Sequence, residues 1–327
     1  MTAATDAHRA TDVLCVEDVW GSAFDALAAR HTVVREPDAW SDGARLRQLC
    51  ASARTLVVRN RTSVDRDLLE AAPSLEAVAR AGSGLDNIDL AAANARGVAV
   101  IAATAVNARS VAEHTLGLAL TLARGIAAHD HQLRTGVWQR RPGVELRGLT
   151  WGLLGLGATG LEVAALARCL GMTTVAHDPY VDPADQRVRD VVDRMATVQD
   201  LTSGADVVSV HLPLTARTRG SVDARLLRSM RPTAFLINVA RGEVVDEDDL
   251  VQCLEEGAIA GAALDVRSEE PATPGRLEKL EQVVLTPHIA GLTTASQERI
   301  CTVLAEDLAR VLDGAAPRHA VKPPATR

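Results

Sequence analysis

Aromatic side chains are scarce in this chain: four Trp, two Phe and one Tyr among 327 residues. Its cores must therefore be closed with Ala, Val and Leu, which suits buried parallel strands and Ala-rich helices. Lysine and arginine form no block, and with a formal net charge of −7 a general nucleic-acid binder is excluded. Five cysteines, Cys15, Cys50, Cys169, Cys253 and Cys301, are odd in number, scattered and without a Cys-x-x-Cys pair. That excludes a disulfide framework or a zinc site, so no metal is expected and the thiols read as those of a cytoplasmic protein. Long apolar runs are missing too. The longest apolar helix candidate, residues 114–128, is broken by Arg124 and Gly125 and is too short for a bilayer. The first twelve residues carry Asp6, Arg9 and Asp12 and lack the apolar segment of a signal peptide.

What is present is enough chain for two cores, with 47% hydrophobic and 24% charged residues. Short β-branched runs alternate with amphipathic stretches, the grammar of βαβ units and of parallel sheets covered on both faces. In the first third, residues 13–16, 56–58, 75–79 and 98–101 read as strands, with helices around 22–30, 44–51, 64–71 and 90–96. A long helix is expected over 107–128, opened by Asn107. A second series follows, with strands at 150–155, 173–177, 207–211, 234–239, 259–265 and 283–286. Helices at 158–170, 223–230 and 247–256 fill its gaps, and a last helix covers 294–312. The tail beyond Gly314, with Pro317, Pro323 and Pro324, is expected to be loosely held.

Gly155-Leu156-Gly157-Ala158-Thr159-Gly160 fits G-x-G-x-x-G, directly after an apolar strand and at the opening of an apolar-periodic helix. Gly155 allows the tight turn, Gly157 lets backbone approach a pyrophosphate, and Gly160 lets the helix pack on the strand. The helix N-terminus adds unpaired N–H groups and a positive dipole end. Eighteen residues on, Asp178 ends the next strand, where a carboxylate accepts from the ribose hydroxyls and repels a 2′-phosphate, favouring NAD over NADP.

Downstream, Arg241, Glu270 and His288 each follow a strand, where an open α/β sheet presents side chains to a ligand. A guanidinium pairs bidentately with a carboxylate and stays charged at any working pH. An imidazole, with an ordinary pKa of about 6.5, can take and return a proton. A carboxylate on its far nitrogen orients the ring. This is the equipment for oxidising a 2-hydroxy acid.

From 146 to 295 the chain resembles the D-isomer-specific 2-hydroxyacid dehydrogenases, the family that includes D-3-phosphoglycerate dehydrogenase. The matching stretches are 151–160, 211–215 with 218–220, 238–242, 261–266, 269–271 and 286–291, with weaker matches at 58–59, 80–87 and 111–113. The resemblance implies two Rossmann-like or flavodoxin-like doubly wound domains with the active site in the cleft between them. The substrate domain would comprise 1–106 plus 292–327, and the NAD domain 107–291. It implies Arg241 on the substrate carboxylate, His288 as acid/base and Glu270, directly before Pro271, as its partner in preference to Glu269. Asp265 would contact the nicotinamide amide, with His211, Pro213, Thr218, Val239, Ala240 and Gly291 around the cofactor. Gly82, Ser83, Gly84 and Arg59 would serve the substrate. A homodimer formed through the NAD domains is also implied, with Trp138 on the partner.

Three departures stand out. Ala158 and Thr159 replace the usual Arg-Ile, residues 103–107 lack the Pro and Gly of Thr-Pro-Gly-x-Asn, and Arg267 stands where an aromatic commonly follows Asp-Val. None touches Arg241, Glu270 or His288. The reading is an NAD-dependent dehydrogenase of D-2-hydroxy acids of phosphoglycerate or glycerate type. The alternatives are an NAD-responsive binding protein on the same fold, and phosphite-type oxidation.

Overall fold

In the computed structural model, residues 11–321 are described. Residues 1–10 and the Pro323–Pro324 end of the tail lie outside them. The chain divides into two units, one of Met1–Asn107 with Thr293–Arg327 and one of Ala108–Leu292.

The first unit holds a five-stranded sheet in the order β2-β1-β3-β4-β5. Its strands are β1 (Thr11–Cys15), β2 (Val33–Arg35), β3 (Ala53–Val58), β4 (Ala77–Arg80) and β5 (Ala99–Ala102), and every pairing is parallel. Alternate residues of β1 feed opposite faces, as the two-residue period of a strand dictates. Leu14 joins one core with Leu56, Val78 and Val100, whereas Val13 and Cys15 join another with Val57 and Ile101. The helices are α1 (Ser22–Ala28), α2 (Gly43–Cys50), α3 (Arg66–Glu70) and α4 (Leu90–Ala95). Aspartates at 42, 65 and 89 accept from the first-turn amides of α2, α3 and α4, satisfying donors no helix can satisfy for itself.

The second unit carries a seven-stranded sheet in the order β12-β11-β10-β9-β6-β7-β8, again wholly parallel. Here β6 is Thr150–Leu154, β7 Thr173–His177, β8 Arg194–Met195, β9 Val207–Val210, β10 Phe235–Asn238, β11 Gly261–Leu264 and β12 Val283–Leu285. The sheet runs one way from β6 through β7 and the other way from β6 through β9. The crevice at this reversal, beyond the strands' C-terminal ends, is where such sheets bind ligands.

The long helix expected over 107–128 is two. α5 (Ala108–Arg124) ends at Gly125, which takes the left-handed conformation at φ 59°, and α6 (Ile126–Arg134) continues from it. A left-handed residue cannot carry the helical ladder forward, and glycine adopts it without a Cβ clash. α7 (Ala158–Cys169), α8 (Gln186–Arg189), α9 (Val198–Gly204), α10 (Ala224–Ser229) and α11 (Glu247–Glu255) complete this unit. The last helix, α12 (Thr294–Leu312), belongs to the first unit. It opens with a reciprocal capping box between Thr293 and Ser296, and Ile300, Leu304 and Leu308 pack with Val13 and Val57.

Candidate active site

All three chemically expected side chains lie in the second unit, just past the C-terminal ends of adjacent strands. Arg241 follows β10, Glu270 follows β11 and His288 follows β12. Parallel pairing alone therefore brings them to one rim.

His288 is placed by the buried Asp265, the residue after β11. The His288 backbone N–H donates to the Asp265 carbonyl at 2.7 Å. The Asp265 carboxylate accepts from the amides of Ile289 (2.9 Å) and Ala290 (2.8 Å) and from the Thr286 hydroxyl (2.5 Å). Because that hydroxyl spends its proton on Asp265, it accepts from His114 Nε2, 3.1 Å away on α5. Burial pushes the Asp265 pKa up, but these donors outweigh it and hold the group below the usual aspartate range. Asp265, expected at a nicotinamide amide, is thus shown holding the turn on which His288 sits at a positive φ of 55°.

From this turn the His288 ring reaches Glu270, Nδ1 lying 2.7 Å from Oε2. The other Glu270 oxygen accepts from the Arg267 amide at 3.1 Å. Burial raises the Glu270 pKa, yet the His288 contact and the Arg267 amide bring it below the ordinary glutamate value. Glu270 is thus ionised at neutral pH and accepts, so Nδ1 donates and Nε2 is the nitrogen left for a substrate. The partner is Glu270 and not Glu269.

Arg241 is held through its own loop. The Asn238 side chain donates to the Arg241 carbonyl at 2.9 Å and accepts from the Ala240 amide at 3.1 Å. One guanidinium nitrogen donates to the Ala240 carbonyl at 2.7 Å. The loop packs closely against the 267–268 backbone, since a Cβ on Gly242 would lie 1.9 Å from the Arg267 carbonyl carbon.

The glycine loop sits at the sheet's reversal point, between β6 and α7. Gly155 has φ 98°, and a Cβ there would meet the His211 carbonyl at 2.9 Å, while one on Gly160 would come within 2.3 Å of Gly155 O. A Cβ on Gly157 would meet nothing within 4 Å. The first and third glycines are thus required by the fold and the second is not, as suits a ligand's close approach at a helix N-terminus. Exposed Ala158 and half-buried Thr159 open the helix beside it. Asp178, directly after β7, accepts from the amides of Leu156 and Tyr180, both at 2.9 Å, so the expected ribose carboxylate is fixed beside the loop. His211 shapes the loop from beneath. Its Nε2 pairs with Ser209 Oγ at 2.8 Å, its Nδ1 is buried, and burial pushes its pKa down to about 3, so the ring is neutral. The Thr218 hydroxyl donates to the Pro213 carbonyl at 2.6 Å and closes the exposed turn after β9. Val239 and half-buried Ala240 lie in the Arg241 loop, and Gly291 follows the Asp265-bound turn.

In the first unit, the Arg59 guanidinium donates to Gln297 Oε1 (2.9 Å) and the Asp18 carbonyl (3.2 Å). The buried Glu17 carboxylate accepts from the amides of Arg59, Arg61 and Thr62 at 2.7–3.1 Å. Gly82 is buried against the Arg80 guanidinium, Ser83 is exposed with its hydroxyl 2.9 Å from the Asn107 side-chain oxygen, and Gly84 is half-buried. Sequence reasoning missed Glu17, His114 and Arg80. Only His114 and Arg80 carried a signal, one directly after the 111–113 match and the other opening the 80–87 match.

Among the described residues no His, Cys, Asp or Glu cluster could hold a metal, and no helix is long and apolar enough to cross a membrane. Residues 116–290 match the family model described as "D-isomer specific 2-hydroxyacid dehydrogenase, NAD binding domain". The chain is 41% identical over 305 residues to an (S)-sulfolactate dehydrogenase of Chromohalobacter salexigens, covering 92% of this chain and 98% of that one. It is 42% identical over 280 residues to a D-3-phosphoglycerate dehydrogenase of Mycobacterium leprae, covering 84% of this chain and 53% of that one, and so spans about half of that relative's length. The crystal structure of the TT0316 protein from Thermus thermophilus superposes with a TM-score of 0.89 at 33% identity, covering 95% of this chain and all of that one. With the glycine loop at the reversal point and Glu270 and His288 three and four strands away on the same rim, the chain belongs to the D-isomer-specific 2-hydroxyacid dehydrogenases and its cofactor is NAD.

Proposed function

We propose that this NAD-dependent dehydrogenase acts on a D-2-hydroxy acid of phosphoglycerate or glycerate type carrying a second polar or anionic group on C3, with Arg241, Glu270 and His288 as its chemical residues. The observation that carries the reading is the 2.7 Å pair of His288 Nδ1 and ionised Glu270, two strands and one strand from Arg241 on the same rim. Arg241 pairs with the substrate carboxylate and orients C2. His288 Nε2 takes the C2 hydroxyl proton in oxidation and returns it in reduction. Glu270 favours the protonated ring that forms in between. NAD, when bound, supplies the hydride acceptor. The loop of Gly155, Gly157, Ala158, Thr159 and Gly160 would hold its pyrophosphate and Asp178 its adenosine ribose, with Pro213, Thr218, Val239, Ala240, Asp265 and Gly291 around it and His211 beneath.

Gly82, Ser83, Gly84 and Arg59 are assigned to the substrate by resemblance. A C3 anion is favoured because two relatives are named for a sulfonate and for a phosphate, and the sulfonate enzyme is matched over 98% of its length. The test is NADH oxidation with 3-sulfopyruvate, 3-phosphohydroxypyruvate, hydroxypyruvate, glyoxylate and pyruvate. One of the first three should lead by at least tenfold in kcat/KM. Equal rates with pyruvate would overturn the C3 assignment, and no turnover with any would overturn the enzyme reading.

We place the protein in the cytoplasm as a homodimer. Four of its five cysteines are buried and none is paired. Leu120, Ile126, Leu133, Val137 and Trp138 are exposed along α5, α6 and the segment after it, Trp138 by 81%. Such a strip on one unit suits a second copy of the chain. Sedimentation should give a dimer that W138D weakens; a monomer at micromolar concentration would refute it.

A further inference from the structure

Arg267 departs from the aromatic residue expected at its position, and the structure gives it a specific set of partners. Its Nε lies 3.2 Å from both Glu247 carboxylate oxygens, Nη2 2.9 Å from Glu247 Oε2, and Nη1 2.6 Å from Glu278 Oε1. The Arg267 and Glu247 side chains are mostly buried, 15% and 19% exposed, whereas Glu278 is an exposed residue that reaches the guanidinium from the surface. Glu247 opens α11 and also accepts from the Ser268 amide at 2.6 Å. Glu278 also accepts from the Gly275 amide at 2.6 Å. The segment that begins at Arg267 and ends at Glu278 is therefore tied to helix α11 and to itself through one guanidinium, and Glu270 lies within it.

The Arg267 backbone faces the chemistry on two sides. Its N–H donates to Glu270 Oε1, opposite the oxygen that pairs with His288. Its carbonyl lies where a Cβ on Gly242 would be, directly beside Arg241.

We propose that Arg267 is a positioning residue: clamped between Glu247 and Glu278, it holds its own N–H on the Glu270 carboxylate and its carbonyl against the Arg241 loop, so that Glu270, His288 and Arg241 keep one register. A planar fork can serve two carboxylates at once, which a lysine ammonium does only as a point charge. An apolar side chain at 267 leaves Glu247 and Glu278 with only the Ser268 and Gly275 amides and no counter-ion between them. The effect on turnover rests on the dehydrogenase reading; the effect on Glu270 does not.

The experiment compares R267A, R267K and E278Q with the wild type, reading the Glu270 carboxyl titration by 13C-glutamate NMR (assigned with E270Q) alongside kcat, KM and NADH affinity. The groups facing that carboxylate are His288, the Arg267 amide and Asp265. R267A should move the Glu270 titration upward and lower kcat by about tenfold to a hundredfold, the scale of a misplaced catalytic group, with NADH affinity unchanged. R267K should recover part of the rate, and E278Q should show the same shift in smaller measure, which decides the matter if R267A does not fold. A Glu270 titration unmoved in all three variants, or a moved titration with unchanged kcat, overturns the proposal. If the wild type turns over none of the acids, the dehydrogenase reading fails and the Glu270 titration still decides the clamp.

Discussion

The backbone N–H of His288 donates to the carbonyl of Asp265, and the Asp265 carboxylate binds the next two amides, so one buried residue fixes both sides of the His288 turn. That turn holds a non-glycine residue at φ 55°, a conformation costing about 1–3 kcal/mol that surrounding bonds must sustain.

Asp265→Asn puts an amide NH2 in place of one acceptor oxygen, facing Ile289 N–H or Ala290 N–H. Loss of a buried charge-assisted bond with a new donor–donor clash should cost about 2–4 kcal/mol of stability. Thermal unfolding and kcat read the two consequences together, and kcat should fall while NADH affinity changes less. Unfolding and turnover both at wild-type values would show that the turn holds itself.

The glycine loop separates fold from binding. Gly160→Ala drives a Cβ to 2.3 Å from the Gly155 carbonyl and should destabilise the unit by about 3 kcal/mol or more. Gly157→Ala meets no protein atom within 4 Å, so its melting temperature should be close to wild type. Its NADH dissociation constant, read by fluorescence titration, should nonetheless rise by about tenfold, near 1.4 kcal/mol. NADH binding undisturbed in that variant would place the pyrophosphate elsewhere.

Arg241→Ala and His288→Ala should fail differently. Loss of the arginine removes substrate attraction and orientation, so KM should rise and kcat should fall. Loss of the imidazole removes proton transfer, worth about 10²–10⁴-fold, and should appear mainly in kcat. Steady-state kinetics with the best acid of the panel decides; wild-type kcat in His288→Ala ends the acid/base assignment.

Acid should unfold the second unit early. Burial raises Glu247 and Glu270, but Arg267 and Ser268 on the one and His288 on the other hold both below 4.5. Glu278, bound first by the Gly275 amide and then by Arg267, is lowered to about 2. Groups depressed on folding contribute fully above their unfolded value and lose that contribution as pH falls through the folded one. The loss therefore sets in around pH 4.5 and for Glu278 continues as pH falls through about 2. Urea titrations at pH 7, 4 and 3 should show stability falling between the last two, less steeply in E278Q. An E278Q slope identical to wild type would remove Glu278 from the linkage.

Much of this was legible from sequence because parallel sheets announce themselves: β-branched runs at regular spacing, three of them followed by Arg241, Glu270 and His288. Edges were less visible. β2 and β8, three and two residues long, lie at the outer margins of their sheets, where one partner supports a strand too short to show alternation. Gly125 reads in sequence as an interruption of an apolar run too short for a bilayer and not as the end of a helix, since isolated glycines also occur within helices. Glu17, bonded 42–45 residues away, and Arg267, bonded 20 residues back and 11 ahead, belong to partnerships no local pattern carries. Asp265 was visible as part of a motif, but only geometry showed its carboxylate turned to its own chain.

The first unit is sewn from both ends of the chain, and α12 supplies Ile300, Leu304 and Leu308 to its core. On the ribosome, residues 108–292 are complete while that core still lacks a wall. The unit that begins the sequence is thus the one that must wait, its open sheet face exposed until the final helix emerges, and a nascent chain stalled before α12 would present that face to chaperones.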